Sequence, residues 1–257
     1  NGRWYEGIKR GHPDFMKRVP TPEDGLPGSQ GSLLFRTRLS GIPGSRSYKM
    51  QQDDLVANIQ YRMRGTIPVS RSPSCDVRVY LPPFEEWEDR SGSTFGYRIA
   101  VQTHAWKTPD SPRGFFFRNT PQYTDEVYWP GIFIQFRSQT DSRHEKDSAY
   151  FTIRGNQRGA DFKGPEITET GWWTLGMSCT PDGQVHYYIR QGIDDLTEAD
   201  HVTSQYPYSY KAEQFRTFFF NVCNRDDGST WSTPWIIDDP SLYIGSRQVA
   251  RKSSSSR

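Results

Sequence analysis

Three stretches of this sequence alternate apolar and polar side chains with a period of two, which commits them to the two faces of a sheet. The longest is Tyr97-Arg98-Ile99-Ala100-Val101-Gln102-Thr103-His104-Ala105-Trp106. Successive side chains of a strand point to opposite faces. Ile99, Val101 and Ala105 therefore share one face, and Arg98, Gln102, His104 and Trp106 the other. In 133–137, Ile134 and Phe136 stand opposite Gln135 and Arg137. In 150–154, Phe151 and Ile153 stand opposite Tyr150, Thr152 and Arg154. Water-facing strand surfaces usually carry Lys, Glu, Ser and Thr. A face of Arg, Gln, His, Tyr and Trp suits a flat, polar, anionic ligand.

Further strands are expected at 32–39, 54–63, 76–81, 97–106, 131–137, 149–154, 172–179, 184–190, 217–223 and 235–244. Turn-forming clusters separate them, among them Gly41-Ile42-Pro43-Gly44, Pro82-Pro83 and Arg225-Asp226-Asp227-Gly228. Thr180-Pro181-Asp182-Gly183 is a strong hairpin signal. Helix is expected only as a short turn within 194–200. Many short strands without βαβ alternation predict an all-β protein, an antiparallel two-sheet sandwich. The expected organisation is an irregular arm over 1–30, one jelly-roll domain over 31–248 and a polar tail over 249–257. The connection 107–130 is long enough to be functional, and the polar segment 139–148 is expected to be a mobile loop.

The chain has 257 residues, enough for one large β domain that needs no covalent staples. Its net charge of +2 argues against a general nucleic-acid binder, and no apolar run is long enough to span a membrane. Cys75, Cys179 and Cys223 lack metal-site spacing. Cys179 and Cys223 fall in expected strands and read as buried thiols, with a disulfide among the three left open.

The run from Trp172-Trp173-Thr174-Leu175 to His186-Tyr187-Tyr188-Ile189, and the ending Trp235-Ile236-Ile237-Asp238-Asp239-Pro240, resemble the concanavalin-like lectin and glucanase jelly rolls. Gln102-Thr103-His104 is similar to the Gln-x-His strand of the jelly-roll alginate and glucuronan-type polysaccharide lyases. Arg36-Thr37-Arg38-Leu39-Ser40 resembles that family's Arg-Thr-Glu-Leu-Arg strand, with Arg38 and Ser40 departing from it. Tyr150-Phe151-Thr152 resembles its Tyr-Phe-Lys strand, although that strand lies near the C-terminus in the family and about a hundred residues follow Tyr150 here.

The resemblance implies cleavage of a uronate polymer by β-elimination on a concave sheet. His104 would take the proton, Gln102 and Arg36 or Arg154 would neutralise the carboxylate, and Tyr150 would return a proton to the leaving oxygen. Tyr188 is the substitute for Tyr150. Arg98, Gln135, Arg137, Arg154, His186 and Arg190 would line the cleft, with Trp106 and Trp172 stacking on sugars. The bland alternatives are a hydrogen-bonded strand histidine, outer-face ion pairs for the arginines and core-capping tyrosines.

A retaining hydrolase is not favoured, because Glu85-Glu86-Trp87-Glu88-Asp89 lacks strand alternation and reads as a solvated charge run. No cofactor is expected. Structural calcium at Asp226-Asp227-Gly228 or Asp238-Asp239 is an option. The expected partner is an acidic extracellular polysaccharide, met by a secreted, periplasmic or cell-surface monomer. A non-catalytic, lectin-like module is the alternative, and a purely structural envelope protein the third reading.

Overall fold

The computed structural model describes residues 2–7, 10–42, 44–107, 121–141 and 143–246. In chain order its strands are β1 (Trp4–Glu6), β2 (Phe15–Val19), β3 (Ser32–Arg36), β4 (Gln51–Ala57), β5 (Ile67–Pro68), β6 (Ser74–Leu81), β7 (Gly92–Lys107) and β8 (Gln122–Tyr128). They continue as β9 (Gly131–Arg137), β10 (Ser148–Arg154), β11 (Phe162–Ile167), β12 (Gly171–Cys179), β13 (Val185–Gln191), β14 (His201–Gln205), β15 (Gln214–Asn224) and β16 (Trp235–Tyr243). All pairings are antiparallel and form two sheets. The nine-stranded sheet runs β1-β4-β15-β7-β9-β10-β11, with β5 against β15 and β8 against β7; the seven-stranded sheet runs β14-β13-β12-β6-β16-β3-β2. The fold is the antiparallel jelly-roll sandwich that the alternation predicts.

The inward parity of each strand fills the space between the sheets. Tyr97, Ile99 and Val101 of β7, Ile134 of β9 and Phe151 and Ile153 of β10 are fully buried. Aromatic rings tie the layers: Phe95 of one sheet meets Trp235 of the other at 5.1 Å and Phe35 at 6.1 Å, and Phe220 meets Phe35 at 6.0 Å. The Pro-Asp-Gly turn joins β12 to β13, and Gly183 adopts φ +86°, which a side chain would strain. At one end of the sandwich Asp53 accepts hydrogen bonds from Thr37 Oγ1 and from Gly41 N, tying the loop after β3 to the opposite sheet.

Several local expectations change. The expected arm at 1–30 supplies β1 to one sheet and β2 to the other, while 249–257 lies outside the described residues. The strand expected over 54–63 ends at Ala57 and gives way to a short helix, Ile59–Met63. The connection 107–130 holds β8 over its last part, and its residues 108–120 lie outside the described residues. The acidic run at 85–89 is only partly solvated: Trp87 is packed in the core, and buried Glu88 pairs with Arg90 at 3.1 Å. Cys75, Cys179 and Cys223 are all buried free thiols.

Candidate functional site

The register of the nine-stranded sheet brings distant polar residues onto its outer face. In one row Asn221 of β15 is flanked by Asp54 of β4 and Gly96 of β7, and the row continues through Phe133 of β9 and Thr152 of β10 to Lys163 of β11. The next row holds Ser93, Gln135, Tyr150 and Glu166. On the other side lie Phe219, Arg98, Gly131 and Arg154. Two close approaches shape this face. A Cβ on Gly96 would sit 2.7 Å from the Phe133 ring, and one on Gly131 would sit 2.5 Å from Arg98 Cγ. Glycine at both places lets large side chains lie flat across the strand.

Arg98 is the most buried cation here, 9% exposed. Its guanidinium donates from Nε and Nη2 to Trp129 O at 3.2 and 2.8 Å, and lies 5.2 Å from the Phe219 ring and 5.5 Å from that of Phe133. No carboxylate lies within ion-pair distance of it among the described residues. Burial pulls its guanidinium down to about 10. Arg154 covers the other part of Phe133 at 4.4 Å and binds Asp161 bidentately, at 3.1 and 2.9 Å.

Tyr150 sits between two cations. The Arg137 guanidinium is 4.2 Å from its ring centroid and Lys163 Nζ is 5.5 Å away. A bulge in the β10–β11 pairing between Tyr150 and Thr152 turns both Lys163 and Glu166 toward this phenol. Lys163, then Arg137, hold the Glu166 carboxyl below its ordinary value. Beside Tyr150, Gln135 Nε2 donates to Ser93 Oγ at 2.6 Å, which leaves a second amide N–H and the carbonyl oxygen of Gln135 for a ligand.

Of the residues singled out from the sequence, Arg98, Gln135, Arg137, Tyr150 and Arg154 share this patch. Gln102, His104 and Trp106 have the expected parity but stand at the far end of β7, beside β8. At about 3.3 Å per residue, the run from Ser93 to His104 covers roughly 36 Å. His104 is held on both sides, with Nδ1 2.7 Å from Glu213 Oε2 and Nε2 3.0 Å from Asp125 Oδ1. The hydrogen bond to Glu213 raises its pKa. Gln102 Oε1 accepts from Arg216 Nη1. Trp106, 71% exposed, packs beside Tyr123.

Arg36, Trp172, His186, Tyr188 and Arg190 belong to the other sheet, so the single lined cleft of the sequence reading is two separate faces. Arg36 donates from Nε to Ser232 O at 3.1 Å and rests on Trp231. Trp172 is buried, its Nε1 donating to Glu23 O at 3.0 Å. His186 hydrogen-bonds Ser204 and Thr180, and Arg190 pairs with Asp194 and Asp200. The sequence reading misses Lys163, Glu166, Asp161, Phe133 and Phe219. Phe162-Lys163-Gly164-Pro165-Glu166-Ile167 hides its strand behind Gly-Pro, a pairing tolerated on an edge strand such as β11. In the Asp226-Asp227-Gly228 turn, Asp227 Oδ1 accepts hydrogen bonds from the Ser229 and Thr230 amides. Among the described residues no group of three or more His, Cys, Asp or Glu is arranged to hold a metal.

No protein-family model matches this sequence, and no curated protein matches it. Solved structures do. An alginate lyase of Pseudomonas aeruginosa superposes with a TM-score of 0.50 at 11% identity, over 95% of this chain and 98% of that one. The chain has the jelly-roll fold of that lyase. An alginate lyase from polysaccharide lyase family 7 gives a TM-score of 0.45 at 9% identity over 95% of each chain. The alginate lyase of Klebsiella pneumoniae gives 0.41 at 11% identity, covering 95% of this chain and 96% of that one. The likeness runs the length of the sandwich and speaks to scaffold, since a fold hosts many chemistries.

Proposed function

We propose that this protein is a polysaccharide lyase that lays an acidic, uronate-containing glycan across the outer face of the nine-stranded sheet and cleaves it by β-elimination. The observation that carries the proposal is the grouping of Tyr150 with Arg137, Lys163 and Gln135. β-Elimination removes the proton next to the uronate carboxylate, breaks the bond to the glycosidic oxygen and leaves a carbon–carbon double bond in the sugar. The negative charge that moves onto the carboxylate needs donors already in place. Arg137 and the free amide N–H of Gln135 fill that role, and Tyr150 Oη takes the ring proton and returns one to the departing oxygen. Arg98 and Arg154, spread over Phe133, hold the carboxylates of neighbouring units. The protein acts on its polymer outside the cytoplasm, secreted or periplasmic, as a monomer.

Alginate and glucuronan incubated with the protein are expected to gain the ultraviolet absorbance of unsaturated sugar ends. No gain on any uronate polymer rejects the proposal.

A second reading, a glycan-binding module without catalysis, is favoured by one feature: both ring nitrogens of His104 are already engaged by carboxylates. It predicts polyuronate binding that persists in Tyr150→Phe and no product from the unaltered protein.

A further inference from the structure

The loop that leads from β14 in the seven-stranded sheet to β15 in the nine-stranded sheet docks on the turn between β10 and β11. Tyr208 N donates to Asn156 O at 3.0 Å, and Ser209 Oγ donates to Gln157 O at 3.0 Å. The Tyr208 ring lies flat over Gly159, where a Cβ would sit 2.4 Å from the ring. It stacks on Tyr210 at 6.4 Å and meets Tyr128 edge-on at 6.1 Å.

The backbone that presents this ring is strained. Tyr208 has φ +60° and ψ +21°, and its neighbour Ser209 has φ +62°. Two adjacent residues with side chains in the left-handed region persist only where surrounding contacts hold them there. Glycine would follow the same path without strain. The chain instead keeps a large aromatic that is 40% exposed, so packing alone does not account for it. Strain retained under an open ring points to a ligand for that ring.

The neighbours of Tyr208 say what kind. Its phenol lies close enough to Arg98 and Arg154 to interact electrostatically with both. Arg98 commits Nε and Nη2 to Trp129 O, while Nη1 has no hydrogen-bond partner among the described residues and is not sealed from solvent. A cation this buried and without a carboxylate beside it favours an anion at its open end. Arg154 follows Tyr150 by four residues on β10, about 13 Å along the strand. A uronate unit placed there would set its carboxylate on Arg98 and its apolar C–H face on an aromatic ring.

We infer that Tyr208 is a sugar-stacking residue of the proposed lyase site and forms, with Arg98, a subsite for one uronate unit beyond the unit at Tyr150. The inference rests on the polyuronate reading of this face but does not need cleavage.

The test is calorimetric titration of the whole protein with the hexasaccharides of mannuronate and of glucuronate, on a Tyr150→Phe background so that cleavage does not interfere. At least one hexamer is expected to bind saturably. Adding Tyr208→Gly, which suits the left-handed backbone and keeps the loop on its path, should weaken that binding about tenfold. Tyr208→Phe, which keeps the ring, should change it by less than about threefold. With Tyr150 intact, Tyr208→Gly should raise KM about tenfold and lower kcat by less than about threefold. Undiminished affinity in Tyr208→Gly, whatever its melting temperature, overturns the inference, as does an equal loss in Tyr208→Phe or the absence of binding by either hexamer. Affinity lost in Tyr208→Gly, in a protein that releases no unsaturated ends, rejects the lyase reading and leaves this subsite standing.

Discussion

A phenol bracketed by two cations and a histidine bracketed by two carboxylates stand on the same sheet face, and they have different prospects as catalysts. Tyr150 keeps its oxygen for a ligand, whereas His104 has each nitrogen engaged by Glu213 or Asp125. Tyr150→Phe should lower the rate of unsaturated-end formation by about 10²–10⁴-fold while polyuronate affinity, read by titration, stays nearly unchanged. His104→Ala should leave that rate within a few-fold of the unaltered protein. Its effect belongs to stability instead. Glu213 raises the folded-state pKa of His104, so the stabilisation is fully present below the unfolded value and fades as pH rises through the raised one. The melting-temperature gap between His104→Ala and the parent should therefore be widest near about pH 5 and close near about pH 9. The sequence does place Arg98, Gln135, Arg137, Tyr150 and Arg154 on the sides turned away from the core, because parity is a local property. It does not reveal that His104 is neutralised, since Glu213 lies more than a hundred residues away and meets it only through the β7–β15 pairing.

At the scale of strands, the hairpin of β12 and β13 is legible from Pro-Asp-Gly alone, and the long β7 from its alternation. Sheet membership is not. Arg36 and Arg98 occupy similar local patterns, yet β3 pairs with β16 and β7 with β15, choices made by contacts distant in sequence. The edge strands β8, β11 and β14 are also hidden, because their polar composition and Pro165 reflect weak burial more than strand propensity. The crossing of β7 and β9 offers a sharp test. Gly96→Ala would push a methyl group against Phe133 and to 3.1 Å from Asn221 Oδ1. It should cost about 1–3 kcal/mol in urea unfolding and weaken polyuronate binding by disturbing the Phe133 platform.

Across the whole molecule, the two layers are joined by aromatic packing in the middle and by polar ties at one end. Phe220, fully buried between Phe35, Phe95 and Tyr97, should cost about 3–5 kcal/mol when cut to alanine, measured by denaturant unfolding. The polar tie behaves differently. Burial raises the Asp53 carboxyl to about 7, against the opposing hydrogen bonds from Thr37 and Gly41. The folded state thus holds this proton more tightly than the unfolded chain does, and the stability it lends at low pH drains away from about pH 4 to about pH 7. Asp53→Asn should gain melting temperature relative to the parent across that range. The three thiols carry a practical corollary. Cys75, Cys179 and Cys223 are shut inside the sandwich as unlinked sulfhydryls, and burial pushes all three up in pKa, so an alkylating dye can reach them only when the layers part. Their labelling rate is a built-in clock for opening of the domain, readable without adding any probe to the chain.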